Sequence, residues 1–149
     1  MPELPEVEVT RLGLKPLLKL KVGKVIIRNH SLRWPINSAL PELLKNQILL
    51  DLSRRGKYIL AKFTSGTLII HLGMSGRLCI VSIGNELNKH DHVDIHFMKK
   101  NLILRYRDPR RFGSILWTEN DPYIHKLIKN LGPEPLNKEF DAKYLFSRL

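Results

Sequence analysis

Cysteine is nearly absent from this 149-residue chain, and the one thiol, Cys79, can close no disulfide within it or found a cysteine-rich metal site. With Leu78, Ile80 and Val81 around it, Cys79 is expected to be a small core residue in a reducing compartment. Long apolar runs are missing too. No stretch reaches the roughly 20 residues that a membrane-spanning helix needs. The first residues are acidic where a secretion signal would be basic, so a cytoplasmic protein without a membrane partner is expected. There is no repeat, low-complexity tract or obvious linker, and the length suits one ordinary domain.

Acids are the scarce charge: 14 Asp and Glu face 25 Lys and Arg, a formal net charge of +11. An excess of that size marks a partner of opposite sign, since each phosphate neutralised releases counterions. Solubility, or an acidic membrane, would account for the same total. The distribution favours nucleic acid. Acids gather early (Glu3, Glu6, Glu8) and late (Glu119, Asp121, Glu134, Glu139, Asp141). Between them stand two compact basic groups, Arg54-Arg55-Gly56-Lys57 and Arg105 through Arg111, both at turns between apolar runs.

Hydrophobic residues make up 43% of the chain, enough for a packed core, and their spacing changes along it. Pro5 suits the first turn of a helix reaching to about Leu18, with Val7, Leu14, Leu17 and Leu18 as its apolar stripe. Pro16 should end or kink that helix unless packing compensates. After Gly23 come eight short β-rich runs, 24–29, 48–53, 58–63, 67–72, 77–81, 92–97, 102–107 and 114–117, with turn signals such as Arg55-Gly56, Ser65-Gly66 and Asp108-Pro109. A short helix is expected over 40–45, and further helices over 123–131 and 138–148. The fold class expected is α+β and mainly β: a two-layer antiparallel sandwich of about eight strands, flanked by an N-terminal helix and C-terminal helices. The last helix reaches Leu149 without a cap, so the chain is expected to be a piece of a longer one.

Five segments carry candidate chemistry. In Met1-Pro2-Glu3-Leu4-Pro5-Glu6, removal of Met1 leaves Pro2 as a secondary amine. An α-amine titrates near 7.7–8.0, and the positive end of the following helix lowers that further. Such an amine can attack a sugar C1′ or a carbonyl, with Glu3 beside it to move protons. Many unrelated chains begin Met-Pro, however. Arg54–Tyr58 is a basic turn that would also serve as a plain solvated hairpin. In His71-Leu72-Gly73-Met74-Ser75-Gly76, Met74 either projects from a tight loop or folds onto the core. His90, His92 and His96 would share one strand face, which raises zinc, but neighbouring Asp91 and Asp94 pair with imidazoles equally well. Finally, Asp108-Pro109-Arg110-Arg111-Phe112-Gly113 is a turn presenting Arg110 and Phe112, fitted to wedge between bases or to pack inward.

Taken in order, Met1–Glu8, Arg33-Trp34-Pro35, Lys57-Tyr58, His71–Gly76, His90–Asp94, Asp108–Gly113 and Leu131–Leu136 resemble the formamidopyrimidine-DNA glycosylases over essentially the whole chain. The resemblance implies base-excision repair of double-stranded DNA carrying 8-oxoguanine and ring-opened formamidopyrimidines, by a monomer with glycosylase and abasic-site lyase activity. It implies that Pro2 is the Schiff-base nucleophile, Glu3 the acid that helps open the sugar, and Lys57 a participant in β-elimination. His71, His90 and Arg110 are then DNA contacts, and Met74, Arg110 and Phe112 fill the gap left by the extruded base. Residues 1–136 correspond to the catalytic N-terminal domain and 137–149 to the start of a helical linker. Family members are about twice as long, and the missing half supplies a helix–two-turns–helix element and a zinc finger. This chain itself is thus expected to hold no metal or other cofactor. Two alternatives accompany this reading: a DNA-binding remnant without chemistry, and an oxidised-pyrimidine glycosylase of the same superfamily.

Overall fold

The computed structural model describes residues 3–122. Helix α1 (Leu4–Gly13) opens it, followed by a 3₁₀ turn at Lys15–Leu17. Strand β1 (Val22–Ile27) and helix α2 (Leu40–Leu44) come next. Seven strands complete the order: β2 (Leu49–Arg55), β3 (Tyr58–Phe63), β4 (Thr67–His71), β5 (Arg77–Ser82), β6 (Asp91–Phe97), β7 (Leu102–Arg107) and β8 (Ser114–Thr118). All eight expected strands form, with ends shifted by no more than two residues. The helices expected over 123–131 and 138–148, and the boundary at 136, lie outside the described residues.

The strands make two antiparallel four-stranded sheets, ordered β1-β6-β7-β5 and β2-β3-β4-β8. Their facing sides alternate as a two-residue period demands. Val25, Ile95, Leu104 and Tyr106 from the first sheet meet Leu52, Ile59, Phe63, Leu68, Ile70 and Ile115 from the second in one continuous core. The second sheet is apolar on its other face as well, where Leu60 and Ile69 are buried with Tyr58 and Leu116 against them. That explains why β3 and β4 read as nearly unbroken apolar runs.

Helix α1 is shorter than its sequence pattern. The apolar stripe is as expected, with Val7, Leu14 and Leu17 buried and Leu18 packed on the core. The α-helix stops at Gly13 because Pro16 has no N–H to donate and its ring collides with the carbonyl four residues back. A 3₁₀ turn carries the stripe onward instead. Cys79 also departs from expectation. It pairs in register with Arg105 on the outward side of the first sheet and is only half-buried, because β5 alternates and Leu78 takes the inward place.

That outward side holds a charge network which reassigns one of the two basic groups. The Arg105 guanidinium, 3% exposed, donates to Asp94 Oδ1 at 2.9 Å and to Asp94 Oδ2 at 3.0 Å. Arg28 reaches the same carboxylate at 2.8 Å, and Arg107 donates to Asp91 at 2.6 Å. The segment joining β5 to β6 lies over this network: Asn85 Oδ1 and the Glu86 carbonyl accept from Arg105, and the Asn88 N–H donates to Asp91. Arg105 and Arg107 are therefore bound up in the fold rather than offered to a partner. Burial pushes the Asp94 pKa up, but the hydrogen bonds and charges of Arg105 and Arg28 outweigh it and hold the carboxyl below its ordinary value. Its contribution is present above the unfolded-state pKa, near 3.9, and is lost as pH falls through the lower folded-state value. The thermal midpoint should thus drop steeply below about pH 4. Asp94→Asn strands a buried guanidinium and should cost roughly 3–5 kcal/mol at pH 7. A variant with the parent's midpoint at pH 7 would show that the network adds nothing to stability.

Candidate nucleic-acid interface

One pole of the sandwich gathers most of the sequence candidates, because five chain segments end or turn there. Glu3 caps the start of α1, Lys57 lies in the β2–β3 turn, His71–Gly76 joins β4 to β5, and Asp108–Gly113 joins β7 to β8. Arg33 is tied in through its N–H, which donates to the Gly113 carbonyl at 3.0 Å.

The Asp108–Gly113 loop is organised by the Asp108 carboxylate, which is 0% exposed. Its Oδ2 accepts from the Tyr106 hydroxyl at 2.7 Å and from the Gly113 N–H at 2.9 Å. Its Oδ1 accepts from Ser75 Oγ at 2.8 Å and from the Arg111 N–H at 3.1 Å. Burial and the adjacent carboxylate raise the Tyr106 pKa far above its ordinary value, so the phenol remains a donor. The Asp108 main chain is held as well: its N–H donates to the His90 carbonyl at 3.1 Å, and its carbonyl lies 2.7 Å from His92 Nε2.

Ser75 carries this order into the neighbouring loop. Its hydroxyl donates to Asp108 and accepts from the Arg110 N–H at 3.1 Å, so one side chain pins both loops. Gly73 lets them touch: at φ 61° it takes a backbone that L side chains rarely adopt, and a Cβ there would stand 2.5 Å from the Gly113 nitrogen. The consequence is that Met74 and Phe112, 45% and 49% exposed, project from adjoining rigid loops. Arg110 Nη1 lies 3.7 Å from Met74 Sδ. Neither apolar side chain folds back onto the core.

A second corner forms at the start of α1. Glu3 occupies the N-cap position yet makes no side-chain capping bond. Its carboxylate faces Lys57 instead, Oε2 to Nζ 3.6 Å. Lys57 is presented there by a two-residue hairpin loop whose first position needs positive φ, supplied by Gly56 at 58°. Pro2 lies outside the described residues.

Between these corners sits His71, its ring 4.8 Å from that of Tyr58. The Gly73 N–H can only donate, so His71 Nδ1, 3.0 Å away, is the acceptor and any ring proton of the neutral form is on Nε2. Burial lowers the His71 pKa, and the charges of Arg33 and Lys57 lower it further. His71 is thus a neutral hydrogen-bond donor at pH 7.

Several expectations change here. Arg54 is bonded to Glu8 at 3.0 Å and Arg55 is 3% exposed, so of the basic turn only Lys57 fronts the pole. The three histidines do not line one strand face: a bulge between Asp91 and Val93 breaks the alternation, His90 precedes β6 with its ring 6.4 Å from that of His92, and His92 is buried against Asp108. Among the described residues no three of His, Cys, Asp and Glu converge as metal ligands. Sequence reasoning missed Ser75, Tyr106 and the bonding of Asp108. A hydroxyl two residues after a glycine, and an acid before a proline, are too common to single out.

Comparison with known proteins decides the family. The sequence profile of the formamidopyrimidine-DNA glycosylase N-terminal domain matches residues 1–115. The chain belongs to the formamidopyrimidine-DNA glycosylase family. The formamidopyrimidine-DNA glycosylase of Methylobacillus flagellatus is 54% identical over 145 residues, which are 97% of this chain and 52% of that protein. That of Hydrogenovibrio crunogenus is 50% identical, covering 100% of this chain and 53% of the relative. The Lactococcus lactis formamidopyrimidine-DNA glycosylase, non-covalently bound to DNA containing an abasic site, superposes with a TM-score of 0.81 at 31% identity. That match covers 97% of this chain and 55% of the other. The chain therefore spans about half the length of the family members it matches.

The two-loop unit can be tested through Ser75. Ser75→Ala removes a hydrogen bond to a charged group and should cost about 1.5–3 kcal/mol, read as a lower thermal midpoint, whereas Ser75→Thr keeps the hydroxyl and most of the stability. An unchanged midpoint in Ser75→Ala would show that the bond between the loops is not made in solution.

Proposed function

We propose that this chain is the nucleophile-bearing half of a DNA glycosylase and abasic-site lyase that removes 8-oxoguanine and formamidopyrimidines from double-stranded DNA. The observation that carries this reading is the sharing of one pole by the Glu3–Lys57 pair and the Met74–Arg110–Phe112 group. Chemistry at an extruded nucleotide and filling of the gap it leaves must happen side by side. The L. lactis family member in complex with DNA containing Fapy-dG supports the substrate class. A second reading, extension to oxidised pyrimidines, is favoured by the complex of the L. lactis protein with an oxidised-pyrimidine DNA. The working place is the cytoplasm, beside DNA.

In the proposed mechanism Met1 is removed and the unprotonated Pro2 nitrogen attacks C1′ of the flipped nucleotide. The C1′–base bond breaks and the base leaves with the bonding pair, taking up a proton in balance with the one that the attacking Pro2 nitrogen gives up. Glu3 protonates the ring oxygen as the sugar opens, leaving an iminium between Pro2 and C1′. Loss of a C2′ proton then expels the 3′ phosphate. Lys57 is the ammonium that stabilises that leaving charge, a role supported by its place 3.6 Å from Glu3. Neutral His71 donates a hydrogen bond to a phosphate oxygen without adding charge, and His90 is a further backbone contact. This chemistry draws on an amine, a carboxylate and an ammonium and asks for no cofactor.

Borohydride trapping on duplexes containing 8-oxoguanine or an abasic site tests the mechanism directly. The parent chain should form a covalent adduct; a Met1-retaining form and Pro2→Gly should not. Glu3→Gln should still bind DNA while base release collapses. Binding without an adduct on either duplex would leave only the DNA-binding remnant.

The gap-filling role has a separate measurement. Phe112→Ala and Met74→Ala should weaken binding of a paired lesion more than binding of an abasic duplex, where less unstacking remains to be supported. Lys57→Ala should weaken both evenly and flatten the salt dependence by about one counterion. Parent-like affinity of Phe112→Ala for both duplexes would refute the wedge.

A further inference from the structure

The pole opposite the wedge loops is also basic, and none of the chemistry above uses it. Three connections meet there: the approach to β1, the link from α2 to β2, and the β6–β7 hairpin. They are stitched together by main-chain bonds, Met98 N–H to the Lys21 carbonyl at 2.8 Å, Asn46 N–H to the Val22 carbonyl at 3.0 Å and Lys19 N–H to the Leu49 carbonyl at 2.7 Å. On these segments stand Lys19, Lys21, Lys45, Lys99 and Lys100, all exposed, and none pairs with a carboxylate among the described residues. The acids at this end are Glu42, in the first turn of α2, and Asp51, Glu119 and Asp121, which stand on the side of the second sheet, away from the β1 and β6–β7 connections.

Backbone geometry adds a second observation. Four of the five non-glycine residues at positive φ lie at this pole: Lys19 at 69°, Asn46 at 66°, Lys99 at 73° and Asn101 at 53°. Asparagine tolerates that region, while lysine gains nothing from it that glycine would not supply more cheaply. Two tight turns thus hold an ammonium where conformation alone would favour its absence. The arginines of the first sheet are consumed by Asp91 and Asp94, whereas these lysines have no carboxylate partner among the described residues.

Distance separates this patch from the wedge. Strand β6 runs from Asp91 at one pole to Phe97 at the other, seven residues at about 3.3 Å each, or roughly 20 Å. The Debye length at physiological salt is about 8 Å, so the lysines add little to a duplex held at the wedge. We propose that Lys19, Lys21, Lys45, Lys99 and Lys100 form a second, sequence-independent site for duplex DNA, so that one molecule bridges two DNA segments. Duplex DNA is the occupant the setting favours, because the opposite pole is read as a DNA site and the proposal rests on that reading. A protein joining two segments can pass from one to the next without free diffusion, which suits a search for rare lesions.

The test tethers an 8-oxoguanine duplex to beads, loads the chain, and asks whether a fluorescent undamaged duplex is retained. The parent should retain it at low salt and release it as salt rises. A variant carrying Lys21→Gln, Lys45→Gln, Lys99→Asn and Lys100→Gln should still hold the tethered duplex while losing the second at least tenfold. Its salt slope for the second duplex should flatten by about 2–4. Replacing the same four lysines by arginine should preserve bridging, which separates lost charge from damage to the fold. Undiminished bridging in the neutralised variant overturns the proposal, as does displacement of the second duplex by anionic lipid vesicles at equal charge concentration. If no chain loads on the tethered duplex, yet plain duplex binds in solution with the lysine-dependent slope, the wedge-pole reading fails and the lysine site stands.

Discussion

The wedge pole depends on a single buried carboxylate. Asp108 has no contact with solvent and accepts four hydrogen bonds, from a strand phenol, a neighbouring loop hydroxyl and two amides of its own loop. A charge buried in this way is tolerable only when its lone pairs are all engaged, and here the donors come from two stretches of chain, Tyr106–Gly113 and the distant Ser75. Satisfying Asp108 therefore fixes the position of Ser75 relative to Gly113, and with it the positions of Met74 and Phe112. Those exposed apolar side chains are held in place by a polar centre beneath them.

The same economy runs through the rest of the charged residues. Of the two basic groups visible in the sequence, Arg54, Arg55, Arg105 and Arg107 are spent on internal structure, while Lys57, Arg110 and Arg111 face outward. Arginine suits the internal role because its planar fork can serve two carboxylate oxygens at once, as Arg105 does for Asp94. Lysine is kept for the surface, at both poles. A net charge of +11 thus overstates the charge at the wedge pole and conceals its division between two ends of the sandwich.

His71 illustrates how tertiary surroundings change a residue's chemistry. In sequence it is a DNA-contact candidate, by resemblance, between apolar residues. In the fold its Nδ1 accepts from Gly73, and burial with Arg33 and Lys57 nearby favours the uncharged ring. It becomes a directional donor among cations, fitted to orient a phosphate more than to attract one.

The sequence by itself determined the eight strands, the two-layer architecture and the family, since two-residue alternation and glycine- and proline-bearing turns are local properties. It also supplied the candidates Glu3, Lys57, His71, Met74, Arg110 and Phe112, because they sit in a distinctive order of short motifs. It did not determine where α1 ends, since apolar spacing continues through Pro16 while hydrogen bonding does not. Nor could it show which arginines are spent on carboxylates, because Asp94 and Arg105 are 11 residues apart and Arg28 and Asp94 are 66 apart. The roles of Ser75 and Asp108 were hidden for the same reason. A hydrogen bond spanning 33 residues leaves no local periodicity, and only the pairing of β4 with β8 and of β5 with β7 sets the two crossing loops side by side.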